Sequence, residues 1–285
     1  ELPPLPFVLG FCGPGGALTT TGGGVVLHLV PRPGGVAEGR RPVTVRTDHS
    51  IFAIHHATGF EDPPEADGSQ RLTLFTAAWP DVRPGPFLGD WGGAFPIYDD
   101  GRIKPTQLMR TTVDIGPPGA DGAMETTAVR ETVLGGACID HPHVDPRFDG
   151  DSRCRYTYQT WSNGLFDGEG ESISGSPPIG WCRYDRITGD AERWVAPAGC
   201  FCEEPVIIPK SGCSERVPSD AVDEAQAWLA GMMFDPSRDT SCLAILDCED
   251  IAAGPVCKLW LRQHVPHGLH GCWIEGVSYF DHNDP

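Results

Sequence analysis

The chain has 285 residues, 40% of them hydrophobic, which supplies a sizeable core and excludes a disordered segment. Its net charge of −18 repels phosphate backbones, so nucleic acid is excluded as a partner and the acidity reads first as a solvated surface.

The sequence begins at Glu1 without an initiator methionine, as expected of a processed chain or a fragment. Leu2 to Pro31 carries no formal charge, yet its five prolines and seven glycines leave no apolar run of membrane-spanning length and no basic start of a signal peptide. No transmembrane segment is therefore expected. Across the whole chain, 36 glycines and 28 prolines cut the sequence into short apolar runs, the rhythm of an all-β protein with little helix.

In chain order, strands are predicted at Val25–Val30, Pro42–Thr47, Ser50–His55, Arg71–Ala78, Gln107–Ile115, Arg155–Trp161, Gly180–Tyr184, Ala225–Met233, Leu243–Leu246 and Cys257–Leu261. Turn-rich stretches at Pro31–Gly39, Asp62–Gly68, Gly116–Gly122 and Asp145–Ser152 are too short for interdomain linkers, so residues 1–285 read as one domain. Pattern alone leaves sandwich, barrel and propeller open, because each presents many short strands separated by turns.

Eleven cysteines, an odd number without a repeated CxxC spacing, fit a reducing intracellular compartment, cytoplasm or plastid. Cys200, Cys202 and Cys213 lack a fourth zinc partner at the usual spacing.

Among the ten histidines, three groups can carry chemistry. In Ile54-His55-His56 the two rings would point to opposite faces of a regular strand, so one of them is the candidate metal ligand. In Val265-Pro266-His267-Gly268-Leu269-His270-Gly271 the glycines allow close backbone approach, and His270 is the better candidate. In His141-Pro142-His143 the two rings would share one face and could chelate by themselves, with Pro142 confined to an edge strand; the competing reading is a polar loop. A ligand imidazole must be neutral, with its second nitrogen held by a carboxylate or carbonyl. Asp140 and Glu204, each beside apolar strand-like sequence, are candidates for that task; a surface acid is the simpler alternative, more so for Glu203 than for Glu204.

These blocks resemble, in order, the motifs of the carotenoid cleavage oxygenase family. Val25 to Arg32 is similar to its strand ending in Pro-Arg, and Ile54 to Asp62 to its Phe-His-His-x-Asn-x-aromatic-Glu block. Asp140 to Gly150 resembles its Glu-Phe-Pro-Arg-Ile-Asn-Pro motif, and Arg155-Tyr156-Thr157-Tyr158 its Arg-Tyr-x-Tyr. Glu204-Pro205-Val206 and the closing Leu243 to Gly271 block match the last two. Among the departures from the pattern, Asp140 stands for the family glutamate, Thr58 for the asparagine of the His-His block, and Leu269 for the phenylalanine before the final histidine.

The resemblance implies an all-β fold, a seven-bladed β-propeller of the carotenoid oxygenase type, with Fe(II) on its axis held by four histidines braced by carboxylates. It implies His55 and His270 as iron ligands, with Asp140 beside the His55 ring and Glu204 beside the His270 ring. Asp140, one methylene short of glutamate, is expected to need a backbone shift or a water to reach its ring. The family's other two ligands lie in a part preceding Val25, so the propeller is expected to be incomplete, with N-terminal blades missing, and iron to be weakly held. The function implied is O2-dependent cleavage of a conjugated double bond in an apolar polyene, a carotenoid or apocarotenoid, to aldehydes or ketones. Stilbene cleavage within the family, a non-catalytic propeller binding lipid or a partner, and an unrelated metal enzyme built on His141 and His143 are the alternatives. Peripheral membrane contact is compatible with such a substrate.

Overall fold

The computed structural model of the chain describes residues 8–10, 19–20, 23–34, 38–39, 41–48, 50–80, 85–86, 105–117, 119, 124–162, 165–166, 172–173, 178–210 and 223–274. His49, His282, Cys12 and Cys213 lie outside them, as do parts of the turns expected at Pro31–Gly39 and Gly116–Gly122. No helix among the described residues is long and apolar enough to cross a membrane. The chain falls into two compact units: residues up to Asp140 with those of 163–176, and residues 141–162 with those from 177 onward.

The first unit is built on a four-stranded antiparallel meander of Ile51–Glu61, Gln70–Pro80, Gln107–Ile115 and Thr126–Leu134. Alternation buries Phe75 and Leu108 on one face, where Phe60 and Phe75 meet at a ring separation of 6.5 Å, and Val113 on the other. The hairpin of Val26–Leu29 and Val43–Arg46 adds Val45, which is buried, and Arg130 donates to the Thr47 hydroxyl from the edge strand. Thr126–Leu134 was not predicted. Its apolar positions alternate with threonines and charges, and an edge strand keeps residues such as Val129, 62% exposed, on its open side.

In the second unit, Phe201–Pro209, Ala227–Asp235, Thr240–Asp247 and Pro255–Trp260 form another four-stranded antiparallel meander. A further sheet runs in the order Ala191–Val195, Gly180–Asp185, Tyr156–Ser162 and Cys138–His143, and within the last of these strands the chain passes from one unit to the other. The core shared by these sheets is fully buried at Tyr158, Trp181, Leu229, Met233 and Leu246. Trp181 stacks on Trp194 at 5.6 Å and 15°, and its indole N–H donates to the Glu203 carbonyl at 2.7 Å. Gly231 makes that packing fit, because a Cβ there would come within 2.4 Å of the Trp181 ring.

The turn expected at Asp145–Ser152 holds a buried ion pair. The Asp145 carboxylate accepts the Arg147 backbone N–H at 2.9 Å and its guanidinium through Nε and Nη2, the latter at 2.7 Å, with both side chains at most 3% exposed. Arg147 also donates to the Gln226 carbonyl at 3.1 Å, which ties the turn to the neighbouring sheet.

A second buried acid is held by backbone donors. Glu224 accepts the backbone N–H groups of Arg155 at 2.5 Å and Tyr156 at 3.0 Å. Burial pushes its carboxyl up to about 7 against these two bonds, with Asp145 adding to the rise. A raised folded value means the folded chain holds the proton more tightly. The group's contribution is then fully present below its ordinary value near 4.5 and is lost as pH rises through about 7. Urea unfolding from pH 5 to 8 should therefore show stability falling by on the order of 3 kcal/mol at most from this group. Glu224→Gln, which cannot ionise, should flatten that slope; an unchanged slope in the variant would assign it elsewhere.

Candidate functional site

The first unit presents His55 and Asp140. The strand Ile51–Glu61 carries one-residue register shifts on both sides of the histidine pair, between Ala53 and His55 and between His56 and Thr58. Such bulges re-aim side chains. His55 Nδ1 meets Asp140 Oδ1 at 2.7 Å, while His56 Nδ1 meets the Thr76 hydroxyl at 2.8 Å, so consecutive rings serve different partners. Asp140 thus reaches its ring directly, and the water bridge expected for the shorter side chain is not needed. With its Nδ1 proton donated to the carboxylate, His55 carries its lone pair on Nε2. Burial, and next to it the neighbouring His55, push His56 down from the usual imidazole value and keep it neutral.

The second unit presents His141, His143, Glu204 and His270. A register shift between Cys202 and Pro205 places Glu203 and Glu204 at a bulge, and Pro205 contributes no ladder donor there. Glu204, its side chain 8% exposed, accepts three hydrogen bonds. They come from His143 Nε2 at 2.7 Å, His270 Nδ1 at 3.2 Å and the Gly271 backbone N–H at 2.6 Å. Burial alone would raise this carboxyl; the bonds from His143, Gly271 and His270 outweigh it and hold it below the usual range. Donation from Nδ1 leaves the His270 lone pair on Nε2, the same tautomer as at His55. Glu203 takes a looser partner, His267 at 3.6 Å.

His141 and His143 do not act as the self-contained pair that a regular strand would make. His141 has φ 47°, which breaks the alternation, and its ring lies 5.5 Å from that of His270 at 83°. His143 turns instead to Glu204. Pro142 sits between them on a strand at the end of its sheet, where its missing N–H is tolerated. Sequence reasoning found Glu204 but missed His143 as its partner, a contact 61 residues apart with no local signal.

Beside His270 and Glu204 lies a groove of about 890 Å³, with Val206, Ile208, Leu243, Ile245 and Leu259 on its wall. These residues alternate along their strands with the buried Ile207, Cys242, Ala244 and Leu246, so this sheet is apolar on both faces. Imidazoles whose Nδ1 is held by a carboxylate form a donor set that fits a divalent first-row metal such as Fe(II).

Four-stranded antiparallel sheets, with a carboxylate-held histidine in each unit, define an all-β protein with candidate metal-ligating histidines. The model of the family described as retinal pigment epithelial membrane protein matches residues 19–275, and the chain belongs to that family, the carotenoid oxygenases. It is similar to the apocarotenoid-15,15'-oxygenase of Synechocystis, with 28% identity over 87% of this chain and 42% of that protein. It is similar also to lignostilbene-alpha,beta-dioxygenase isozyme III of Sphingomonas paucimobilis, with 26% identity over 88% of this chain and 46% of that protein. Among solved structures, cobalt-substituted Synechocystis ACO matches with a TM-score of 0.71 and 24% identity, covering 96% of this chain and 49% of that one. The fold is thus the all-β propeller type expected from the sequence, and the chain spans about half the length of these relatives.

Proposed function

We propose that this chain serves the oxidative cleavage of a conjugated carbon–carbon double bond in an apolar substrate, a carotenoid or apocarotenoid, with Fe(II) and O2. The observation that carries the reading is the repeated arrangement of a candidate ligand imidazole with its Nδ1 on a carboxylate, His55 on Asp140 and His270 on Glu204. When bound, Fe(II) would supply the site at which O2 is activated for addition across the alkene. Asp140 and Glu204 fix the tautomer and orientation of the rings and raise their basicity. The apolar groove next to His270 suits a polyene chain and excludes water from its wall. Names of relatives that act on apocarotenoids and on lignostilbene support alkene cleavage, with the apocarotenoid preferred on the higher identity of its match, 28% against 26%.

The test is anaerobic loading of the chain with Fe(II), followed by 18O2 and a panel of apocarotenoids and stilbenes. Carbonyl products carrying 18O, formed from an apocarotenoid and lost in His270→Ala, are expected. The quantity of product from this chain is expected to be small, in keeping with weak iron binding. No labelled carbonyl from any substrate, or undiminished product in His270→Ala, would overturn the proposal.

A further inference from the structure

We propose that His141 donates an imidazole nitrogen to the same divalent metal ion as His270. The inference rests on the reading of His270 as a metal ligand and extends it to a residue whose corresponding position in the family motif is the phenylalanine of Glu-Phe-Pro-Arg, not a ligand.

Three observations in the second unit carry it. The His141 and His270 rings stand nearly perpendicular, at 83°, with centroids 5.5 Å apart. A ligating nitrogen of each lies within 4.8 Å of the other. Two nitrogens bound at about 2.0–2.1 Å to one ion are separated by at most about twice that length, so a small rotation of either ring closes the pair onto a common ion. The second ring is already oriented, because His270 Nδ1 is engaged by Glu204 and its lone pair lies on Nε2.

The third observation is the backbone at His141. It has φ 47°, a left-handed conformation that only one other described non-glycine residue, Asp239, adopts. Asp239 belongs to a hairpin turn, where asparagine and aspartate take this conformation readily. His141 instead lies within the strand Cys138–His143, just before Pro142, which disfavours helical backbone for the residue before it. A ring aimed at a shared ion gives that backbone a function. Edge-to-face packing of two rings is the competing account, and it needs no nitrogen from His141.

His141→Phe separates the two, since phenylalanine keeps the ring contact and removes the donor. His141→Asn is the companion, because asparagine tolerates the left-handed backbone and is a poor ligand for this class of ion. Each variant, with His270→Ala and the exposed His28→Ala as references, would be titrated with Co(II) by competition against a chromophoric chelator. X-ray absorption would count imidazoles on the bound ion, and circular dichroism would check folding. Affinity lower by about tenfold or more in either folded His141 variant, with one imidazole fewer around cobalt, is the expected result. Affinity within about twofold of the parent chain in whichever variant folds, with the imidazole count unchanged, would overturn the inference. If both variants lost their fold, the imidazole count in His55→Ala decides: scattering from fewer than two imidazoles there overturns it. Weaker binding in His270→Ala alone would leave the metal reading of His270 intact and remove only His141 from it. Unchanged binding in His270→Ala would remove the underlying reading itself.

Discussion

Arg147→Ala is expected to lower the unfolding free energy by about 3–5 kcal/mol, the usual cost of stranding a buried charge. Asp145 is completely buried and takes the backbone N–H and two guanidinium nitrogens of the same residue two positions on. Without the guanidinium, its carboxylate keeps only the main-chain donor among those bonds and loses the opposing charge. A domain has about 5–15 kcal/mol in total, so the variant should be close to unfolding at moderate temperature. Urea denaturation followed by tryptophan fluorescence would measure the loss, since Trp181 and Trp194 sit in the core of the same unit. Removing both charges with Asp145→Asn and Arg147→Met should recover at least about half of it, because the larger penalty belongs to the unpaired ion and not to the absence of the pair. A loss under about 1 kcal/mol in the single variant would mean that water or another cation replaces Arg147.

Glu204→Ala is expected to weaken divalent metal binding by about 10–100-fold. One oxygen of this carboxylate meets both His143 and His270, and the other holds the Gly271 N–H, so its removal frees the His270 ring and the backbone beside it at once. Asp140→Ala should act in the same direction through a single bond, at His55. Competition titration with Co(II) compares the two, and circular dichroism confirms that the fold survives. Equal affinity in the Glu204 variant and the parent chain would show that the carboxylate braces the loop at Gly271 without serving a metal ligand.

Much of the architecture was legible from short apolar runs between turn residues. Gln107–Ile115 has the bounds expected, and the strands around Gly180 and Ala227 differ from expectation by one to two residues at their ends. Strands whose local pattern argues against burial were missed. Ala191–Val195 exposes alternate residues, and Phe201–Pro209 was legible only as apolar strand-like sequence beside Glu204, its full length hidden by the bulge at Glu203-Glu204-Pro205. At the site, motif order pointed to His55, Asp140, Glu204 and His270, and the structure sets His55 against Asp140 and His270 against Glu204. The backbone of His141 and the turn of His143 toward Glu204 had no such signal, because a φ value and a contact across 61 residues are decided by packing.

The two bulges of Ile51–Glu61 have an arithmetic consequence. Each inserts one residue opposite the neighbouring strand, Ile54 before the histidine pair and Ala57 after it. One insertion reverses which side of the sheet every later residue faces; a second restores the original parity. Phe52 and Phe60, eight positions apart, are thereby kept in phase, and only His55 and His56 stand out of step with the strand beside them. Lineages can therefore lengthen or shorten this segment in steps of two without turning its apolar side outward, whereas loss of Ile54 or Ala57 alone would bring the histidines into step and invert the far half of the strand.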